Sequence, residues 1–164
     1  MRLRTLKRRR LENKTDYKLR MGLLKSKTDR ITIRKSNKYI SLQVVKSEEA
    51  QDRVLFGISS KQLLNYGWDK KFAGSLKSIP AAYLTGYLAG KSIKKGEFIL
   101  DIGMATHQKG GRIYAAASGL IDAGLKIKVD KGIFPKKEKI MGDNTKEELK
   151  PLLEKIKSKI EAKK

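Results

Sequence analysis

Apolar and polar residues alternate at every second position in three short stretches between residues 30 and 58. Ile31 and Ile33 alternate with Arg30, Thr32 and Arg34. Ile40, Leu42 and Val44 alternate with Tyr39, Ser41 and Gln43, and Val54, Phe56 and Ile58 with Leu55 and Gly57. A period of two marks half-buried strands. The connections at residues 35–38 and 47–52 are short and polar, which predicts hairpins and an antiparallel meander.

Beyond residue 59 the pattern changes. Ser60 is expected to cap a short helix ending near Tyr66-Gly67, followed by a loop with Trp68 and Gly74. Ser78 caps a second helix, with Pro80 in its first turn, where the missing N–H does no harm. Ala82, Gly86, Ala89 and Gly90 give that helix a small-residue side suited to close packing on a sheet. Residues 98–102 form an apolar run broken only by Asp101, the pattern of a buried central strand. Residues 112–123 place Ile113, Ala116, Leu120 and Ile121 on one helical face, with Gly124 as the stop. Leu125, Ile127 and Val129 alternate as a last strand. The order β-β-β-α-α-β-α-β predicts an α/β protein with a mixed five-stranded sheet, parallel strands being added through right-handed crossovers.

The two ends read differently. Residues 1–14, MRLRTLKRRRLENK, hold too few apolar groups to pack and are expected to stay disordered until bound. Thr15-Asp16 caps a short helix reaching about Lys25. If that helix extends backward, Lys7, Arg10, Lys14 and Lys18 share one face. Near the C-terminus, Thr145 and Glu148 make a capping box. Leu149, Leu152, Leu153, Ile156 and Ile160 form an apolar stripe, and Pro151 bends or delays the helix. The chain thus divides into a basic arm with a short helix (1–28), an α/β body (29–130) and a Lys-rich extension with a helix (131–164).

Charge changes this picture most. The 164 residues carry 39 Lys or Arg against 17 Asp or Glu, a net charge of +22. Residues 1–40 hold fifteen of the cations and three acids, whereas residues 97–130 hold four of each sign. An excess this large repels itself until a polyanion neutralises it. Nucleic acid fits best, because membrane-surface helices pair their cations with Trp or Phe, and residues 1–30 contain neither. Composition does not separate DNA from RNA, but a basic arm beside a basic hairpin suits RNA, which is recognised through shape, phosphates and exposed bases. Arm cations Arg2, Arg4, Lys7, Arg8, Arg9, Arg10, Lys14, Lys18 and Arg20, with Tyr17, are therefore the candidate RNA contacts at the N-terminus. Arg34, Lys35, Ser36, Asn37, Lys38 and Tyr39 are those of the first hairpin. There Arg34 offers a planar fork that Lys does not imitate, and Asn37 is the expected turn residue, since Asn tolerates positive φ. His107, Lys109 and Arg112 complete the set. Lys109-Gly-Gly-Arg112 resembles a phosphate-cradling loop at a helix N-terminus without the full P-loop pattern.

Catalytic chemistry finds little support. There is no cysteine and one histidine, so neither a thiolate site nor a Ser/His/Asp set is available, and no metal or cofactor is called for. Asp101 followed by Gly103 suits a metal-dependent nuclease only if further carboxylates converge on it. Asp122 and Asp130 share no spacing motif with Asp101, so its plainer role is to cap a loop or pair with a cation. Neither a signal peptide nor a membrane-spanning run is visible, and the absence of cysteine fits the cytosol. A general nucleic-acid compaction protein is the alternative reading.

Two blocks carry a resemblance. Arg30-Ile-Thr-Ile-Arg34-Lys35-Ser36-Asn37-Lys38-Tyr39-Ile40-Ser-Leu-Gln43-Val resembles the first hairpin of the 5S-rRNA-binding protein family of the large ribosomal subunit. Leu100-Asp101-Ile-Gly103, Gly111-Arg112 and Gly119-Leu-Ile-Asp-Ala-Gly124-Leu125 resemble that family's second half. Arg8-Arg9-Arg10, Thr15-Asp16-Tyr17, Tyr66-Gly67-Trp68 and the stretch from Pro80 through Tyr83 and Thr85 to Gly90 are similar to its archaeal and eukaryotic branch. The blocks span residues 8–130. After Val129 the chain departs from the pattern, with Lys139-Ile-Met-Gly142 followed by Asp143-Asn144. The resemblance implies a ribonuclease-H-like sheet without enzymatic activity and a cytoplasmic, ribosomal location. It further implies binding to 5S rRNA, attachment of that RNA to the large-subunit rRNA at the central protuberance, and a neighbouring 5S-associated ribosomal protein as partner.

Overall fold

The computed structural model describes residues 5–49, 51–93, 96–142 and 149–162. Arg2, Arg4 and the pair Thr145 and Glu148 lie outside the described residues. β1 (Arg30–Lys35), β2 (Ile40–Glu48) and β3 (Gln51–Ser59) form the antiparallel meander. β4 (Glu97–Asp101) pairs parallel to β1, and β5 (Lys126–Ile127) parallel to β4, so the sheet order is β3-β2-β1-β4-β5. This is the mixed five-stranded sheet that the alternation and element order predict.

Details differ for local reasons. The expected linker at 47–52 is mostly strand, because pairing continues to Glu48 opposite Gln51 and Glu49 takes the turn at φ 48°. The register shifts between Val44 and Val45, where the exposed Leu55 is the extra residue of a bulge in β3. Val54 and Leu55 are both about half exposed, so the outer strand β3 is buried chiefly at Ile58. β5 is only two residues long, since the chain turns away into a 3-10 turn at Lys131–Ile133. The segment Ser60–Tyr66 is a 3-10 helix capped by Ser59, not Ser60. Ser60 is buried and its hydroxyl accepts instead from the backbone N–H of Ile40 at 3.1 Å. Gly67 ends that turn at φ 100°, a conformation glycine adopts without a Cβ penalty.

The core lies on one face of the sheet. Ile31, Ile33, Ile40, Leu42 and Val44 point into it, beneath α3 (Ile79–Ser92) and α4 (Arg112–Asp122). α3 is buried at every position from Pro80 to Gly90, as expected of a helix enclosed on all sides. Its small face meets α4 rather than the sheet. A Cβ on Gly86 would overlap the carbonyl of Ala116, and one on Gly119 would overlap the Tyr83 carbonyl oxygen and crowd Tyr87 N at 2.7 Å. The two helices therefore touch backbone to backbone.

The last helix belongs to the same core. α5 (Lys137–Met141) is short and exposed, but α6 (Leu149–Ala162) buries Leu153, Ile156 and Ile160 against it. Tyr87 donates to Glu161 at 2.9 Å, tying α3 to α6, and Tyr83 donates to Asp122 at 2.8 Å, tying α3 to α4. Burial first, then the bonded carboxylate, pushes both phenols above the ordinary tyrosine range. They stay protonated as donors.

The close approach of α3 and α4 is expected to make Gly119→Ala lose about 2 kcal/mol or more of stability, toward the upper range for an overpacked core. Gly22→Ala lies in the middle of an exposed helix with nothing within 4 Å of the new methyl, and is expected to gain up to about 1 kcal/mol from helix propensity. Urea denaturation of the two variants checks both signs.

Candidate nucleic-acid interface

Because β1 and β4 are parallel, their C-terminal ends lie together. The first hairpin turn, the loop at residues 102–111 and the start of α4 all emerge at that end. The hairpin turn is closed by Ser36. Its N–H and hydroxyl donate to the Tyr39 carbonyl at 2.9 and 2.8 Å, and its hydroxyl accepts from Tyr39 N–H at 2.9 Å. Asn37 has no positive φ, so the turn does not need the left-handed residue expected there. Lys35, Ser36, Asn37 and Lys38 are exposed, whereas Tyr39 is partly buried against the core.

On the face opposite the core, β1 carries Arg30, Thr32 and Arg34. Alternation alone marks all three as outward-facing. Arg30 is nevertheless only 3% exposed and Thr32 is buried. Arg30 donates to Asp52 at 2.7 Å and to the Ser47 hydroxyl at 2.9 Å, and stands 3.6 Å from Asp101. Its Nε is buried with no hydrogen-bond partner. Arg34 donates to the Asp101 carbonyl at 2.7 Å and to its carboxylate at 3.3 Å. The fork expected to be free for RNA is thus anchored on one edge, with 47% of the side chain still exposed. Asp101 also accepts from Gly103 N–H at 2.8 Å. Gly103 has φ 60°, and a Cβ there would meet the Arg34 guanidinium at 3.1 Å. The Asp-x-Gly motif therefore closes a loop end and seats an arginine.

The N-terminal elements meet this surface. α1 (Arg8–Leu11) is a single exposed turn, and Asn13 at φ 51° separates it from α2 (Tyr17–Lys25). One continuous helix with Lys7, Arg10, Lys14 and Lys18 in line does not form. Asp16 caps α2 as expected, accepting from the N–H groups of Lys18 and Leu19. α2 is tied to the sheet by Arg20, which donates to Asp52 at 3.1 Å. Arg9 donates through Nε to Thr15 at 2.9 Å, Lys14 and Arg8 pair with Glu12, and Lys7 sits 4.6 Å from the centre of the Tyr17 ring. Arg10 and Lys18 are exposed. A cleft of about 200 Å³ opens between these elements, lined by Arg9, Lys14, Arg20, Arg30 and Arg34.

The loop before α4 behaves differently from a phosphate cradle. Gly110 N–H donates to the Ile133 carbonyl and Gly111 N–H to that of Gln108, so those two donors are already used. Lys109 and Arg112 are exposed. The exposed His107 is held through Nδ1 by the Tyr114 hydroxyl at 2.7 Å. Carboxylates do not converge on Asp101. Asp122 bonds Tyr83, Asp130 accepts from Gly132 N–H, and no group of three or more metal-ligating side chains exists among the described residues. Cations occupy the strand end where a metal-dependent nuclease would need acids. No helix among the described residues is long and apolar enough to cross a membrane.

Sequence reasoning missed Arg30, Asp52 and Asp101 as one unit. Burial raises the Asp52 carboxyl, but the Ser47 hydrogen bond and the charges of Arg30 and Arg20 outweigh it and hold the carboxyl below its ordinary value of 3.8.

An α/β sheet with a core on one face and cations gathered at one end has the build of a polyanion-binding protein. A family model described as "Ribosomal large subunit proteins 60S L5, and 50S L18" matches residues 1–98. A large ribosomal subunit protein uL18 of Korarchaeum cryptofilum is 44% identical over 140 residues, 84% of this chain and 70% of the relative. Proteins of the same description from Methanoculleus marisnigri and Methanothrix thermoacetophila are 45% and 41% identical, covering 82% and 83% of this chain and 77% and 80% of the relatives. The chain belongs to this family of large-subunit ribosomal proteins, in its archaeal branch. These relatives are ribosomal proteins and not enzymes, and the polyanion of a ribosomal protein is ribosomal RNA.

A carboxylate with a depressed pKa contributes stability above its unfolded value and loses it as pH falls through the folded one. Wild type is therefore expected to exceed Asp52→Asn in stability at neutral pH, and the gap should close as the pH drops below 3.8. Urea melts across that range check it. A gap that persists in acid would place the effect elsewhere.

Proposed function

We propose that this protein binds 5S rRNA and attaches it to the large-subunit rRNA at the central protuberance, beside another 5S-associated ribosomal protein, in the cytoplasm. The carrying observation is the fixed set of cations at one end of the sheet, where Arg34 is seated by Asp101 and the hairpin side chains stand exposed. In this reading residues 1–28 are a basic arm, residues 29–130 the rRNA-binding body and residues 131–164 an extension. The arm contacts are Arg2, Arg4, Lys7, Arg8, Arg9, Arg10, Lys14, Tyr17, Lys18 and Arg20. The body adds residues 34–39 with His107, Lys109 and Arg112.

The mechanism is charge neutralisation and shape recognition, with no turnover. Phosphate contacts from Lys and Arg supply affinity and register. Exposed bases in RNA loops stack on guanidinium planes. The edge of Arg34 left free by Asp101 is pre-set for such a contact, which lowers the ordering cost of binding.

Sequencing the RNA that co-purifies with the native protein tests the reading. Enrichment of 5S rRNA is expected, and a spread of DNA or mRNA would favour a general nucleic-acid protein. Neutralising about six to ten phosphates predicts that affinity for 5S rRNA falls about a thousandfold or more between 50 and 200 mM salt. A nearly flat dependence in filter-binding titrations would remove the basic surface from the interface. Arg34→Lys is expected to weaken binding by about 1–2 kcal/mol. Because its bonds to Asp101 are also lost, the free protein should lose up to about 1 kcal/mol of stability.

A further inference from the structure

The geometry points to the cleft between α2 and the end of β1 as a preformed seat for one phosphodiester group of the bound RNA. This rests on the rRNA-binding reading and assigns it a specific pocket. Five cations line the cleft, Arg9, Lys14, Arg20, Arg30 and Arg34, against two carboxylates, Asp16 and Asp101. Those carboxylates are occupied. Asp16 caps α2, and Asp101 holds Arg34 and Gly103. Lys14 also pairs with Glu12, and Arg20 and Arg30 with Asp52, so five cations stand against four carboxylates and the balance left over is positive.

Size and charge agree. The cleft's volume of about 200 Å³ falls below the roughly 300–1,000 Å³ of pockets for drug-sized ligands, so it suits a small anion. Arg30, which lines it, is 3% exposed, and its Nε is the buried side-chain nitrogen left without a partner among the described residues. Its guanidinium is held behind the cleft wall, where its fixed charge adds to the positive potential that an oxyanion in the cleft would meet. Two carboxylates already hold the other guanidinium nitrogens, so the seat is rigid before RNA arrives. RNA is the source of the anion because the cleft is continuous with the arm and with the hairpin end. Arg9 and Lys14 belong to the arm, and Arg34 stands one residue before the end of β1.

Leu19 forms one wall. It is 44% exposed and lines the cleft, whereas Met21 on the same helix is 55% exposed and lies outside it, in a hollow with Lys25 and Glu49. Leu19→Glu and Met21→Glu therefore make the same change in net charge on one helix. Glu is a good helix former and both sites are exposed, so both proteins fold, which their melting curves verify. Filter-binding titrations against a 5S rRNA transcript are run in chloride buffer free of phosphate. Leu19→Glu is expected to lose at least about tenfold in affinity, with a log–log salt slope smaller by roughly 0.7–0.9, one phosphate's worth. Met21→Glu should lose less than about threefold with the wild-type slope, as an exposed charge acting only at long range does. Equal losses and equal slopes, with wild-type binding intact, overturn the cleft alone. Wild type that fails to bind the transcript overturns the rRNA reading and the cleft with it. A difference between the variants that arises only after inorganic phosphate is added assigns the cleft to a free anion and overturns its RNA occupancy.

Discussion

A guanidinium that is 3% exposed is tolerated only where acids meet it, and Arg30 in the middle strand has two. Asp52 reaches it from the far end of β3 and Asp101 from the end of β4. Removing one partner from a buried pair typically costs about 3–5 kcal/mol, because the other charge is left uncompensated. The same two carboxylates also hold Arg20 and Arg34. Four elements, α2, β1, β3 and β4, are thereby referenced to one another on the face that the apolar core does not reach. The pairs organise as much as they stabilise.

The two faces of the sheet divide the work. On one, Ile31, Ile33, Ile40 and Leu42 pack under α3 and α4, and α3 and α4 approach so closely that glycine is required at their crossing. On the other, cations stand at fixed positions with some of their donors still open. A chain of net charge +22 repels itself, and most of that repulsion falls in the N-terminal third. Anchoring several of those cations on Asp52 and the buried Asp101 spreads the load while leaving a positive surface. Ribosomal RNA completes the neutralisation.

Much of the fold is legible along the chain. Alternation at 31–33 and 40–44, the apolar run at 98–102, the Asp16 and Ser78 caps and the Gly124 stop correspond to observed elements. What alternation cannot report is a second cover. Arg30 and Thr32 read as solvent-facing, yet both are buried, Arg30 between Asp52 and Asp101 at a cleft that α2 shares, and nothing local announces a helix that buries none of its own residues. Asp52 lies 22 residues from Arg30, in a stretch that reads as a polar linker, so their pairing is a tertiary fact. The small residues of α3 signal close packing correctly, but one helix does not say whether a sheet or another helix is its neighbour. Gly119 on α4 is the complementary mark. In the site, composition identifies the cations and the hairpin residues are found exposed. Composition does not show that Arg34 is half committed to Asp101, that Tyr39 leans on the core, or that the Gly110 and Gly111 N–H groups are spent inside the protein.

Acids on the basic face set the geometry of the cations proposed to bind RNA. Asp101→Asn tests this most directly, since it removes a negative charge from the binding surface while keeping the side chain's shape. Affinity for 5S rRNA is measured on protein whose folded fraction is verified by circular dichroism. The account predicts weaker binding, together with a loss on adding Arg34→Lys that is smaller than in wild type, because the two changes disable one unit. Tighter binding by Asp101→Asn, with the full effect of Arg34→Lys retained, would show that RNA responds only to summed charge and would contradict it.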